Sequence, residues 1–234
     1  MQRIRGLRLL LPILLAFALF WQASLLATAA PPIVYQYASK SGRAQVALTF
    51  DDGPHPRYTR EILDILEEFG VAATFFVVGE NAEFHPELVR RAVEQGHEIG
   101  NHSGNHYHVA KMSPENLTED IEGCNRLLEQ IVGQKPTLFR PPEGVCNDFV
   151  KEICQKNHMT IVMWSVDTRD WAHTPVEEIY KNVRQNVKNG SIILMHDFIG
   201  QKSPTPAALR RIIPMLRELG YEFVTVSQLL EGGE

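Results

Sequence analysis

An α/β fold with a parallel sheet curled toward a barrel is predicted by three observations. Short apolar runs alternate with amphipathic stretches of helical period across residues 45–226, the signature of repeated βα units. Several of the amphipathic stretches end at a glycine, Gly70, Gly96, Gly133 or Gly220, as helices closed by a left-handed C-cap do. About seven such units fit in the chain, which favours closure over an open sheet.

Each element follows from its own pattern. Gln45–Phe50, Ala73–Val78, Glu98–Asn101, Thr137–Phe139, Thr160–Val166, Ser191–Met195 and Glu222–Val226 are predicted strands. Arg57–Phe69 places Ile62, Ile65, Leu66 and Phe69 on one helical face. Pro86–Gln95 is a second helix, and Ser113-Pro114 opens a long one reaching about Ile131. Asp148–Lys156 and Thr205–Leu219 complete the set, with Thr174-Pro175-Val176-Glu177 spaced as a capping box for one more.

Residues 1–30 carry Arg3, Arg5 and Arg8, an apolar run from Leu9 to Leu26, and then Ala27-Thr28-Ala29. This is the pattern of a secretory signal with a small-residue cleavage site. An uncleaved membrane anchor is the alternative, because a helix over this run approaches the ~30 Å of a bilayer core; either way the arginines stay inside and the rest is exported. Residues 31–43, with Pro31-Pro32 and Ser39-Lys40-Ser41-Gly42, suit a short stem with little to bury. One catalytic domain is expected over residues 44–231.

Residues 1–29 hold three of the 23 basic residues and none of the 28 acidic ones, leaving the remainder at a net charge of −8. That balance excludes a general nucleic-acid binder and suits a neutral or amine-bearing substrate. Cys124, Cys146 and Cys154 form no C-x-x-C pair, which excludes a zinc ribbon or a thioredoxin-type site. They are expected as buried thiols, with one bridge as the alternative.

Five polar clusters follow predicted strands, where the active-site face of a β/α barrel lies. Thr49-Phe50-Asp51-Asp52-Gly53-Pro54 ends the first strand with two carboxylates pointing opposite ways, one free to bind a metal and the other to move protons. His102-Ser103-Gly104-Asn105-His106 pairs two imidazoles that share a face if the stretch is one helical turn. With a carboxylate they make a His₂Asp set for zinc or another divalent first-row ion, and His108 is a possible stray ligand. Arg140-Pro141-Pro142-Glu143-Gly144 sets an arginine beside a rigid turn, either to orient a carboxylate or as an ordinary surface ion pair. Asp167-Thr168-Arg169-Asp170-Trp171 joins two acids to a ring that is a sugar platform, a pocket wall or core. Leu194-Met195-His196-Asp197 ends a buried strand in a histidine able to protonate a leaving amine, or simply a satisfied core residue.

Together these clusters, with T-F-D-D-G-P the most specific, resemble the five ordered motifs of the polysaccharide deacetylases. These are carbohydrate esterase family 4, with its chitooligosaccharide-deacetylase homology domain, and the likeness runs over about residues 43–230. The resemblance implies a distorted (β/α)7 barrel. It also implies that Asp51 is the catalytic base and that Asp52, His102 and His106 bind a divalent metal, zinc first, with cobalt, nickel or iron also accepted. Arg140 matches the arginine that orients the base, and Asp170 the acid that orients His196, the general acid. Pro141, Pro142, Glu143 and Gly144 match the groove wall and Trp171 and Leu194 the acetyl pocket. Glu143 and Val145 stand where an aromatic residue is frequent after the proline pair, and Tyr107 where a proline is, which bears on substrate preference.

The activity implied is release of acetate from N-acetylhexosamine units of a polysaccharide. Export, a stem and the lack of a separate binding module point to peptidoglycan, with chitin-like oligosaccharides open and membrane contact only through residues 1–30. Hydrolysis of an O-acetyl ester, as on acetylated xylan, is the alternative within enzymes. An inactive carbohydrate-binding module is the alternative outside them, although the sequence keeps every ligand and the base.

Overall fold

The apolar run Val46–Phe50 is fully buried and becomes the middle of the sheet. The structure is a computed structural model that describes residues 32–38, 42–200 and 202–232. Its strands are β1 (Ile33–Val34), β2 (Gln45–Asp51), β3 (Thr74–Val77), β4 (Glu98–Asn101), β5 (Leu138–Phe139), β6 (Thr160–Val162), β7 (Val166–Asp167), β8 (Ser191–His196) and β9 (Glu222–Phe223). They pair in the order β1-β6-β5-β4-β3-β2-β8-β7, with β9 added to β2, and every pairing is parallel. Parallel neighbours need crossovers. The helices α1 (Tyr58–Phe69), α2 (Gly79–Phe84), α3 (Pro86–Glu94), α4 (Pro114–Val132), α5 (Asp148–Lys156), α6 (Val176–Asn186), α7 (Thr205–Glu218) and α8 (Val226–Glu231) accompany the strands. α1 buries Ile62, Ile65 and Leu66 as its period predicts, and Gly70 closes it at φ 57°.

The sheet curls because one expected strand divides. Thr160–Val166 is not continuous: β6 pairs with β5, the chain bends through Met163-Trp164-Ser165, and β7 pairs with β8. A single run of chain thus serves both flanks of the seam. The stretch expected as a stem covers this seam instead of hanging free: β1 pairs with β6, and the Tyr37 N–H donates to Gly190 O at 2.9 Å.

Two smaller expectations need correction, and the cysteines follow theirs except that Cys146 is only partly buried. The spacing at Thr174 makes no capping box, since Pro175 caps α6 and the Thr174 hydroxyl donates to Arg169 O; the box forms at Thr225 and Gln228, ahead of α8. α2 and α8, each six residues, were not anticipated, being too short to show a period. All three cysteines are free thiols, Cys124 and Cys154 buried and Cys146 partly so. The signal or anchor expected at residues 1–30 lies outside the described residues, among which no helix is long and apolar enough to cross a membrane.

Candidate active site and metal centre

The carboxyl ends of β2, β4, β5, β7 and β8 deliver all five polar clusters to one end of the barrel. There they surround a cavity of about 460 Å³. A larger groove of about 680 Å³ between α2 and α4 contains none of the cluster histidines, so chemistry and size point to different places, and the residue types decide.

Asp51 is the last residue of β2 and is 3% exposed. Its Oδ1 accepts from Arg140 Nη1 at 2.7 Å, and the same nitrogen donates to Thr49 Oγ1 at 2.8 Å. Arg140 is fully buried, so it is no surface ion pair. Its remaining donors reach Val162 O and Met163 O, both at 3.1 Å. Those carbonyls come free where β6 breaks from the ladder, so the seam of the barrel and the satisfaction of a buried guanidinium have the same cause. Phe76 packs 4.0 Å from the guanidinium carbon. Removing either partner of such a buried pair costs about 3–5 kcal/mol, because the other charge is stranded.

Asp52 faces the opposite way and meets the histidines. His102 Nε2 and His106 Nε2 each lie 3.3 Å from Asp52 Oδ1. The segment 102–108 is not the helical turn expected; Ser103 and His106 take positive φ, and the His106 N–H is held by Ser103 Oγ. Asp52 too has φ 77°. Two of the three candidate ligands therefore sit in a backbone region that side chains other than glycine rarely occupy, a strain that persists where the surroundings enforce it. His102 Nδ1 lies 2.7 Å from Arg140 O, which can only accept, so Nδ1 carries a proton and Nε2 is the nitrogen turned to Asp52.

These residues fit a divalent metal. Asp52 Oδ1 is buried without a hydrogen-bond partner, and one ligand atom from each of the three residues lies within 4.8 Å of the others. Bonds of about 2.0–2.1 Å in a tetrahedral site place ligand atoms about 3.3 Å apart, matching both separations from Asp52. Burial lowers the pKa of His102, yet Asp51 and Asp52 raise it further than burial lowers it, so the pocket favours positive charge at that nitrogen. His108 is outside the trio, with its Nδ1 3.0 Å from Glu143 Oε2.

His196 ends β8 opposite Asp51, its register partner. Its Nδ1 donates to Asp170 Oδ1 at 2.8 Å, which points Nε2 away from Asp170. Asp170 is fully buried and also accepts from the His196 N–H, from the Trp171 N–H and from Thr205 Oγ1. Burial alone lowers the His196 pKa; the Asp170 hydrogen bond and the charges of Asp170, Asp51 and Asp52 outweigh it and raise the pKa to about 9. The imidazole is therefore protonated at neutral pH.

Residues 38–162 match the sequence profile of the family described as polysaccharide deacetylase. A peptidoglycan-N-acetylglucosamine deacetylase of Bacillus cereus is 44% identical over 187 residues, 79% of this chain and 87% of the relative. The chain belongs to the polysaccharide deacetylase family. Among solved members, a peptidoglycan N-acetylglucosamine deacetylase in complex with a naphthalenyl N-hydroxybenzamide superposes with a TM-score of 0.79 at 38% identity, covering 83% of this chain and 92% of that one. A family 4 acetyl xylan esterase from Clostridium thermocellum, holding a cobalt ion, gives 0.74 at 38% identity over 81% and 93%.

Within this polysaccharide deacetylase the walls of the cavity divide clearly. Pro141, Glu143, Gly144, Trp171 and Leu194 line it, and Trp171 is half exposed rather than core. Pro142 does not line it; it is buried, and its carbonyl accepts from the Val145 N–H. Asp167, the first acid of its cluster, lines it too, and Trp164 lines it unannounced, since it sat inside the strand expected over Thr160–Val166. Two further residues fix the Asp52 turn. Asn81 donates to Asp52 O at 2.7 Å. Asp197, 1% exposed, lies so close to Gly53 that a Cβ there would sit 2.0 Å from its Oδ2, and Thr59 Oγ1 donates to that oxygen at 2.5 Å. The sequence carried one signal for Asp197, an acid directly after a histidine that ends a buried strand.

Proposed function

We propose that the deacetylase removes N-acetyl groups from N-acetylhexosamine units of peptidoglycan outside the cytoplasmic membrane, with Asp51 and His196 moving the protons. One observation carries this reading. Within one cavity, a buried carboxylate held by Arg140 and an imidazole held by Asp170 flank the Asp52, His102 and His106 trio.

Asp52, His102 and His106 would hold a divalent ion, zinc foremost, which when bound would supply Lewis-acid polarisation of a carbonyl and of water. Asp51 takes the proton of the attacking water, and the Arg140 hydrogen bond holds that carboxylate in position. Gly144 and Val145 already donate to Pro141 O and Pro142 O, which leaves the Glu143 N–H to stabilise negative charge developing on the acetyl oxygen. His196 then gives its proton to the departing amine, and acetate and a free amino sugar separate. Trp171 and Leu194 enclose the acetyl methyl. Residues 1–30 direct export.

Ester hydrolysis is a second reading, favoured by the likeness to the acetyl xylan esterase. An amide nitrogen leaves only when protonated, so amide turnover depends on His196 more than ester turnover does. The test is acetate release by metal-stripped protein resupplied with zinc or cobalt, on peptidoglycan, chitooligosaccharides and acetylated xylan, with Asp51→Asn as control. Metal-dependent release from peptidoglycan, lost in Asp51→Asn, is the expected result. Release from acetylated xylan alone would overturn the amidase assignment.

A further inference from the structure

The reaction cavity has an asymmetric charge, part of which the hydrolytic mechanism does not use. Four of its lining residues are acids, Asp51, Asp52, Glu143 and Asp167, and neither lysine nor arginine lines it among the described residues. Three of the acids are committed: Asp51 to Arg140, Asp52 to the histidine trio, and Asp167 to the Arg169 N–H at 2.8 Å. Glu143 differs. Its side chain is 48% exposed, and its partner, His108, is 60% exposed at 3.0 Å. An exposed imidazole is a partner that a ligand can displace at little cost.

Backbone geometry keeps Glu143 at the wall. It adopts φ 57° and ψ 11° inside a short turn between Pro142 and Gly144. Left-handed backbone at a residue with a long side chain is unfavourable, so the turn is held there by its neighbours rather than by local preference. With the Glu143 N–H assigned to the reacting oxygen, its carboxylate is free to meet whatever enters beside the reacting sugar.

We infer that Glu143 is a specificity-determining residue that selects the charge of the sugar next to the one being deacetylated, accepting an ammonium there and rejecting a carboxylate. This rests on the hydrolase reading above and deepens it. A glucosamine neighbour displaces His108 and pairs with Glu143. The lactyl carboxylate of a bare muramic acid neighbour meets a like charge, whereas the same group amide-linked to a peptide carries none. A polymer already partly deacetylated is therefore a better substrate than the untouched one, and a glycan stripped of its peptides a worse one.

The test uses zinc-loaded protein and three oligosaccharides of equal length, whose reacting N-acetylglucosamine adjoins N-acetylglucosamine, glucosamine or N-acetylmuramic acid with a free carboxylate. The quantity read is the ratio of kcat/KM for the amine-bearing over the carboxylate-bearing oligomer, in which any uniform change in activity cancels. The parent gives a ratio of about tenfold at low salt, from one attraction and one repulsion at an exposed site. The ratio shrinks at about 0.5 M salt, and Glu143→Gln, which keeps the backbone N–H, lowers it at least about threefold. A ratio unchanged in Glu143→Gln, or one favouring the carboxylate, overturns the inference while acetate release leaves the hydrolase reading standing. No acetate from any of the three overturns both.

Discussion

Two histidines at opposite ends of the barrel, one buried and one largely enclosed, are driven in opposite directions. His97 precedes β4 at the amino end; its Nδ1 accepts the Ala73 N–H at 3.2 Å and its Nε2 has no partner. Burial, with the charge of Arg91, pushes it down to about 4. His196 ends β8 at the carboxyl end and is raised to about 9 despite its desolvation, because Asp170 accepts its Nδ1–H. Burial by itself neutralises an imidazole; a buried carboxylate turns the same burial into a proton store. Glu98, the nearby acid at the amino end, accepts from Thr74 and Ser227 and so ties the β9–α8 connection to the sheet. One end of the barrel uses buried polar groups to close structure and the other to hold reactive charge.

The sharpest way to break that contrast is at the carboxyl end. Asp51→Asn is predicted to lower metal-dependent acetate release by about 10²–10⁴-fold. Cobalt binding, read from its absorption spectrum, remains stoichiometric because Asp52, His102 and His106 are untouched. Loss of metal along with activity would show that Asp51 is a ligand rather than a base.

Asp170→Asn comes next. Without the carboxylate, burial pulls His196 down, so its acid form is lost at lower pH. The alkaline limb of the kcat profile, set near pH 9 by the raised pKa, moves toward neutrality and kcat falls about 10²-fold with KM little changed. An unmoved limb would mean that His196 is not the group being titrated.

The legible part of the molecule was the part where charge interrupts apolar strands. Asp51, Asp52, Arg140 and His196 each stand at the end of such a run, and the barrel face follows from that placement. What escaped depends on contacts between distant segments. Met163-Trp164-Ser165 contains neither glycine nor proline, so nothing local marks the break of β6 from β7 or brings Trp164 into the cavity. Ile33–Val34 is two residues long and gains its role only from the exposed edge of β6. Pro142 matches the wall by resemblance, yet the turn that brings Pro141 and Glu143 to the cavity leaves Pro142 buried behind it.

Asp197 sharpens the contrast through stability. Burial and the nearby charge of Asp52 raise it to about 7, against a smaller lowering by the Thr59 hydrogen bond. A carboxyl whose folded pKa exceeds its unfolded value of 3.8 stabilises the fold fully below that value and loses the contribution as pH rises through the folded one. In metal-free protein, the Tm of Asp197→Asn should therefore gain on the parent between about pH 4 and about pH 7.5. A constant gap would mean that Asp197 does not change charge in that window.

His97→Asn is the smallest test and has the opposite sign. The introduced amide oxygen can still accept the Ala73 N–H, while the edge contact with Phe75 at 5.5 Å is lost, so some stability goes at every pH. The parent has a further loss as pH falls from 6.5 toward about 4, because the unfolded histidine binds a proton that the buried one refuses. The variant lacks that slope, so its deficit in Tm should narrow on acidification while kcat/KM at neutral pH stays unchanged. A fall in kcat/KM would mean that the amino end communicates with the reaction cavity along β4, since Asn101 at the far end of that strand holds the Ser103 N–H beside His102. The division between a closing end and a reacting end would then fail at its most economical point, one strand only four residues long.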